Sequence, residues 1–306
     1  MLRSRGSDDP VSYGTEPAHA SLFQPSRRHA ASVEARKTPH YVLYSPPRAG
    51  LVRVARIERF GGPAGFGPIH GAEVSNAMAE FIGTPDAKTS LEYEAKADAK
   101  TEARARRVLN EVRVEQKNGY LRLAGPDHTR GRRCLTEFAI YCPSERAVTV
   151  RGYYAAIRIA DMNGGVDVET THARITLLNI SGSVHASVQK GILDYSGHQG
   201  IVRLFAGWEL NLNFPYPEFT GEMHATARGA VRVLLPPGFT APLEASVATD
   251  ADFVCRADIV DRIVRRHRDG RTILSFGEAP PVIRLESLEG PIVIDNSDSP
   301  PKPAAA

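Results

Sequence analysis

A glycine-led repeat in the middle of the chain constrains the fold more than any other feature. Four segments begin with glycine and then place apolar residues at alternate positions: GGVDV at 164–168, GSVHA at 182–186, GIVRL at 200–204 and GEMHA at 221–225. Their first glycines are 18, 18 and 21 residues apart. A nearly fixed period with a glycine turn is typical of stacked β-coils. Several coils are needed, because one coil cannot bury its own apolar face.

A second strand-like segment follows the first in each repeat, as in ARITL at 173–177 and GILDY at 191–195. Two strands of about five residues and two turns use about 18 residues, which is one coil. We expect the leading glycines to supply positive φ angles. Aligning Ile175 with Ile192 puts Asp194 at an inward position, which predicts a bulge or corner there. Because the period drifts, a β-sandwich with antiparallel pairing is the alternative.

The fold class predicted is mostly β, a solenoid-like stack of short strands with a small strand–helix–hairpin lead-in. The lead-in covers 41–146; its helix is expected at 99–110 after an Asp98 cap, and Asn-Gly at 118–119 predicts a hairpin. The repeat domain covers 147–294, and its closing segment, 282–294, is one more coil. The polar, aperiodic ends, residues 1–40 and 295–306, are predicted to be disordered.

Charge and hydropathy restrict the partners. The net charge is +3, and the basic excess lies in the segment 1–60, which we interpret as a solvated tail, with no specific nucleic-acid binding. A basic run at 259–268 predicts a solvated loop between coils, with anion binding as the alternative. The sequence has neither a long apolar stretch nor a signal peptide, so we expect no membrane span and a cytoplasmic location.

Aligning the repeat glycines predicts a polar ladder of Asp167, His185, Arg203 and His224. Each lies between two apolar residues and should therefore point outward, about 4.8 Å from its equivalent in the next coil. A metal or anion site, or a pH-sensitive contact, is the functional interpretation. Cross-strand ion pairing on a solvated face is the simpler one, because an arginine within the ladder opposes metal binding. We predict no metal and no cofactor.

The longest coil, between Gly200 and Gly221, is rich in aromatic residues and holds the only tryptophan. Exposed aromatic rings stack on sugars or dock a partner, whereas buried rings would plug a bulged loop against the coils. This cluster is the best candidate for a ligand or partner surface, and its members are Phe205, Trp208, Phe214, Tyr216 and Phe219.

The segment 152–294 resembles the bacterial putative-adhesin family. The resemblance rests on the repeated coils, on GAVRVLLP at 229–236 and on IRLESLEGPIVI at 283–294; the strand–helix–hairpin at 91–123 also looks like the family's lead-in. It implies a β-solenoid-like domain that is not an enzyme. Members are often exported or attached to a membrane protein, so it also implies an envelope association, although this chain shows neither feature.

The predicted function is non-enzymatic, adhesin-like binding or scaffolding through the outward faces of the coils, with a protein or a glycan as partner. One alternative is a scaffold that self-associates through its coil edges. A second alternative is a carbohydrate-active enzyme on a β-helix. Against it, the repeats place no two carboxylates in one column of adjacent coils, and hydrolysis of a glycosidic bond requires such a pair.

Overall fold

A computed structural model of the chain describes residues 40–44, 51–60, 69–86, 88–127 and 133–297. The predicted head, apart from residue 40, and the predicted tail from residue 298 lie outside these residues. The described strands form one large, open, mixed sheet. The helices in the described part of the chain are too short or too polar to span a bilayer.

Between residues 40 and 143, the described part of the chain contains eight strands and one helix. A hairpin joins the strands Arg113–Lys117 and Tyr120–Ala124 through Asn118 and Gly119, both with positive φ, as the sequence predicts. The helix is also confirmed, but Thr101 caps it rather than Asp98, whose carboxylate accepts a hydrogen bond from Arg53 at 2.7 Å. The elements are β1 His40–Tyr44, β2 Val52–Phe60, β3 Gly71–Ser75, β4 Met78–Thr84, β5 Ser90–Ala99, α1 Glu102–Leu109, β6 Arg113–Lys117, β7 Tyr120–Ala124 and β8 Arg133–Pro143.

The remaining strands include the repeats. The basic run, expected as a loop, contains a short 3-10 helix, Val260–Arg262, followed by a strand that pairs with β20. The strands are β9 Val148–Tyr153, β10 Ala155–Ala160, β11 Val166–Leu178, β12 Val184–Ser196, β13 Gln199–Ala206, β14 Glu209–Asn213, β15 Thr220–Ala227, β16 Val231–Leu235, β17 Leu243–Ala248, β18 Phe253–Cys255, β19 Val264–Arg268, β20 Arg271–Phe276, β21 Ile283–Ser287 and β22 Ile292–Asn296.

Two parallel ladders run through the repeats. The first ladder joins β9, the first half of β11, the first half of β12, β13, β15 and β21. The second ladder joins β10, the second halves of β11 and β12, β14, β16 and β22. Alternate residues of both ladders are buried in one shared apolar core. The long strands β11 and β12 belong to both ladders, so the sheet is continuous between them.

The register of the second ladder differs from the sequence alignment. Leu193, rather than Ile192, pairs with Ile175, and both side chains are fully buried. Asp194 therefore points outward without a bulge, and its carboxylate accepts hydrogen bonds from Arg174 at 2.7 Å and Asn211 at 2.9 Å. The alignment was wrong by one residue because Ile192 and Leu193 are adjacent and equally apolar.

The repeat glycines form a column in which each backbone touches the next. A Cβ on Gly182 would lie 2.3 Å from the carbonyl oxygen of Gly164, and one on Gly200 would lie 2.4 Å from that of Gly182. Gly200 has a φ of +112°, but Gly182 lies outside the left-handed region. The expectation of positive φ is therefore confirmed for Gly200 and Gly221 and wrong for Gly164 and Gly182. At Gly182 the close approach of the neighbouring backbone excludes a side chain.

Chain order and spatial order differ at both ends of the ladders. The last strands, β21 and β22, pair with β15 and β16 on one side and with β17 and β18 on the other. The closing segment is therefore an inner unit rather than the final one. In the same way, β3 pairs with β7 on one side and β9 on the other, and β4 pairs with β8 and β10. Pairing therefore continues across the predicted domain boundary at residue 147.

Candidate functional site

The four residues of the polar ladder lie in register on the outer face of the first ladder. Asp167 pairs with His185, His185 with Arg203, and Arg203 with His224. Arg284 of β21 is the next residue in this column. The polar ladder is thus longer than the repeats indicate, because β21 reaches it from a distant part of the chain.

Ion pairing occupies the acidic end of the polar ladder. Asp167, Glu169 and His185 bring three potential metal ligands within 4.8 Å of one another. The guanidinium of Arg151 contacts both carboxylates, at 3.4 Å from Asp167 and 3.2 Å from Glu169. His185 Nδ1 lies 3.1 Å from the Asp167 carboxylate. A metal ion would have to displace Arg151, so the geometry favours a cross-strand ion network on a solvated face.

The other end of the polar ladder is a second small network. His224 Nε2 lies 2.7 Å from the Glu222 carboxylate and 3.1 Å from a nitrogen of Arg284. One ring nitrogen cannot donate to Glu222 and accept from Arg284 at once, so only one of these contacts is a hydrogen bond in each tautomer. The hydrogen bond from His224 lowers the pKa of Glu222. These contacts join His224, Glu222 and Arg284 to one another and leave Glu222 ionised.

The structure separates the five aromatic residues of the predicted surface. Phe214 and Phe219 are buried, with ring centroids 5.9 Å apart, and Phe214 also packs on Phe239 at 5.6 Å. They are a core plug and not a ligand surface, because rings of this size gain more from burial than from solvent contact. The other three remain accessible: Phe205 is half-buried on the outer face, and Trp208 and Tyr216 lie on opposite edges of the ladders.

Tyr216 belongs to a polar groove where the chain passes from the second ladder to the first. Two adjoining cavities of ≈ 280 and ≈ 380 Å³ share Asp161 and Asn179. We call their combined concave surface the corner groove. Its polar and aromatic walls come from Thr84, Ser144, Arg158, Asp161, Asn163, Asn179, Ser181, Ser196, His198, Gln199 and Tyr216.

Pairs of groove residues 18 positions apart bond across neighbouring coils. Asn179 Nδ2 donates to Asp161 Oδ1 at 3.1 Å, and Ser181 Oγ donates to Asn163 Oδ1 at 3.0 Å. Asp161 and Asn179 have φ angles of 58° and 56°, a conformation that Asp and Asn adopt more readily than most residues. These residues lie in the turns before the repeat glycines, and they recur at the same period as the strands. That period was their signal in the sequence.

The long coil supplies the aromatic wall of the corner groove. Six residues, 214–219, separate β14 from β15, whereas two residues, 197–198, separate β12 from β13. The added length carries Pro215 and Tyr216 to the groove, while Phe214 anchors the segment in the core. The Tyr216 ring lies 4.4 Å from that of His198, measured between centroids. The irregular step in the repeat therefore coincides with the groove.

Partial burial of His198 lowers its pKa below the ordinary value of 6.5. The unfolded chain then binds the proton more tightly than the folded chain, so acidification through this region favours unfolding. We expect the melting temperature to fall between pH 7.5 and pH 5.5, and to fall less in His198→Gln, which has no titratable ring. Scanning calorimetry at both pH values measures this; an identical fall in the two proteins would contradict the assignment.

The sequence matches no protein-family model and no curated protein. Several solved structures are similar. One, described as a putative adhesin from Bacteroides fragilis, has a TM-score of 0.42 and 12% identity over 82% of this chain and 99% of its own. A putative cell adhesion protein from Clostridium sporogenes has a TM-score of 0.29 and 10% identity over 85% and 100%. A putative lipid binding protein from Parabacteroides distasonis has a TM-score of 0.34 and 7% identity over 80% and 97%.

At these TM-scores and identities the similarities carry no conclusion about the family or the ligand of this chain.

Proposed function

We propose that this chain is a non-enzymatic, adhesin-like binding domain of β-solenoid-like build, and that the corner groove holds its ligand. The build is supported by parallel, in-register pairing of segments that follow one another by one repeat in both ladders. Stacks of this kind present turn residues of successive coils side by side, and insertions in one coil commonly form the binding face.

One observation carries the proposal: the longest coil places its extra residues on the corner groove. Tyr216 forms an aromatic wall there, and Phe214 holds the segment in place from the core. A loop that only closed a coil would not need to be longer than its predecessor at the same turn. The groove is concave, as small-molecule sites usually are, although its lining is polar rather than mostly apolar.

The polar groups of the groove favour a hydroxyl-rich, uncharged ligand, such as a saccharide unit. Asn163, Asn179 and Gln199 offer amide donors and acceptors, and the serines offer hydroxyls. Tyr216 provides a ring face for a sugar. The Arg158 guanidinium is already paired with Glu80. An anionic ligand would therefore find no unpaired arginine or lysine among the described lining residues.

The structure gives physical arguments against the two alternatives. Edge-to-edge assembly is opposed at two edges of the sheet by the charged strands β6 (RVEQK) and β19 (VRRHR), because charged edges resist pairing with another sheet. The edge strands β1 (HYVLY) and β18 (FVC) carry no Asp, Glu, Lys or Arg and offer no such opposition. Hydrolysis of a glycosidic bond by the usual mechanism needs two carboxylates. Among the described residues that line the corner groove, Asp161 is the one carboxylate.

The groove is tested by screening a glycan array and then titrating the best neutral saccharide into the protein by calorimetry. We expect Tyr216→Ala to weaken binding about tenfold, because it removes the stacking surface. Asn179→Gly removes the amide but keeps a residue that tolerates positive φ, and we expect a similar loss.

Tyr120→Ala is the matched control, since Tyr120 is an exposed tyrosine outside the groove. Unchanged affinity in Tyr216→Ala and Asn179→Gly, with both variants folded, would rule out the groove as the site.

A further inference from the structure

A second group of side chains, exposed except for one half-buried histidine, lies on the edge opposite the corner groove, where the chain passes from the first ladder to the second. We call it the aromatic edge; it consists of Tyr153, Tyr154, His172, Lys190 and Trp208. Tyr153, Tyr154 and Trp208 are 52%, 51% and 58% exposed, values unusual for rings of this size in a folded domain. None of them serves the core or the groove.

The register places these residues on four successive rungs. His172 pairs with Lys190, and the next pair, Ala155 with Ala173, puts Tyr154 beside His172. The Trp208 backbone nitrogen donates to the Gly191 carbonyl oxygen at 3.1 Å, which places Trp208 one rung beyond Lys190. Three rung spacings separate Tyr154 from Trp208, roughly 14 Å along the stack. The aromatic edge thus spans four rungs and has a ring at each end, with Trp208 one residue along the chain from the column of Tyr154, His172 and Lys190.

The rings at the tyrosine end of the row pack on one another. The rings of Tyr154 and His172 stack, with centroids 4.6 Å apart and planes 23° apart, and Tyr153 meets Tyr154 edge-on at 4.5 Å. The φ of Tyr154 is +49°, a conformation that is strained for a bulky residue. Strain of this kind persists where the surroundings enforce it and is common at binding sites. Here it fixes the direction of an exposed ring.

The tryptophan end is flanked by residues without side chains. The residues that flank Trp208 in the register are Gly191 and Gly229. A Cβ on Gly229 would lie 2.0 Å from the Trp208 carbonyl oxygen, so the close packing of the coils excludes a side chain there. The Trp208 side chain is 58% exposed, which leaves much of the indole surface available for stacking.

Lys190 supplies a positive charge between the two ends. It is exposed, and within the described ranges it forms no ion pair, whereas Arg228 on the same edge is 3.8 Å from Glu289. A single unpaired ammonium between two ring platforms complements a chain of rings that carries an isolated carboxylate or sulfate. A single nucleic-acid strand has a phosphate at every nucleotide and is bound by a continuous positive groove, which this edge lacks.

We propose that the aromatic edge binds a linear acidic glycan, with sugar rings on Trp208 and Tyr154 and an acidic group on Lys190. This site is independent of the corner groove: it lies on the other edge, uses different residues and selects a charged ligand. A glycan strand running along the stack would contact all four rungs at once.

Calorimetry with the whole chain tests the site, using oligogalacturonate and hyaluronan oligosaccharides, the methyl ester of the first, and oligo-dT of similar length. We expect the free acids to bind more tightly than the ester. Trp208→Ala should weaken binding of the acids about tenfold, and Trp208→Phe should largely restore it. Lys190→Gln should weaken the acids about threefold and leave the ester unchanged.

Tyr216→Ala serves as the reciprocal control and should bind the acids normally. The proposal is overturned if neither free acid binds more tightly than the ester, if Trp208→Ala binds normally while remaining folded, or if oligo-dT is preferred. Failure of the corner groove leaves these results unaffected, so the two sites are judged separately.

Discussion

Gly182→Ala is expected to lower the free energy of unfolding by about 3 kcal/mol, since the new methyl group has no space. Its Cβ would lie 2.3 Å from the Gly164 carbonyl oxygen and 2.7 Å from that of Asn163. Both atoms belong to the backbone of the preceding coil, which cannot rotate away as a side chain would. The backbone of Gly182 is outside the left-handed region, so conformational strain adds little. Urea denaturation followed by far-UV circular dichroism measures the loss.

Gly270→Ala is the matched control, because it has the opposite properties. Gly270 has a φ of +70°, and no atom lies within 4 Å of the point that a Cβ would occupy, so only backbone strain opposes the methyl group. That strain costs about 1 kcal/mol. Equal losses in the two variants would show that coil-to-coil contact is not what requires glycine at position 182.

Phe214→Ala is expected to cost about 4 kcal/mol, as is typical of a fully buried phenylalanine. The residue is 0% exposed and packs against Phe219 and Phe239. Because it anchors the segment that carries Tyr216, we also expect the folded variant to lose saccharide binding in the corner groove. Denaturation gives the first quantity, and calorimetric titration below the unfolding transition gives the second.

Phe205→Ala is the control for this prediction, since Phe205 is a half-buried aromatic residue in the same coil but on its outer face. It should cost much less and leave the groove intact. Normal binding by folded Phe214→Ala would mean that the loop keeps its position without the anchor.

The polar ladder shows what the sequence was able to predict. Asp167, His185 and Arg203 follow one another at the constant period of the repeat, and parallel pairing between coils of equal length converts that offset into adjacency. Where coil length changes, the same reasoning weakens. Ile192 and Leu193 were equally good inward residues, and only the packed structure distinguishes them.

The aromatic cluster and the corner groove show what the sequence could not provide. Hydrophobicity alone does not distinguish a plug such as Phe214 from a surface ring such as Trp208, since both lie in the same long coil. Apart from Tyr216, the groove residues were missed because turns lack the apolar alternation that identifies strands. The pairing partners of β21 were also unpredictable, because an inner coil and a terminal coil have the same local pattern.

The position of β21 and β22 has a consequence for assembly of the chain. Met223 and Ile283 are direct neighbours in the first ladder although they lie far apart in the sequence. Such long-range pairing is slow to form. During synthesis, β15 and β16 must wait with one edge unpaired until the C-terminal part of the chain has emerged. A chain that ended before residue 283 would lack an inner pair of strands rather than an outer layer. The strand β17 would then have no strand of the first ladder to pair with.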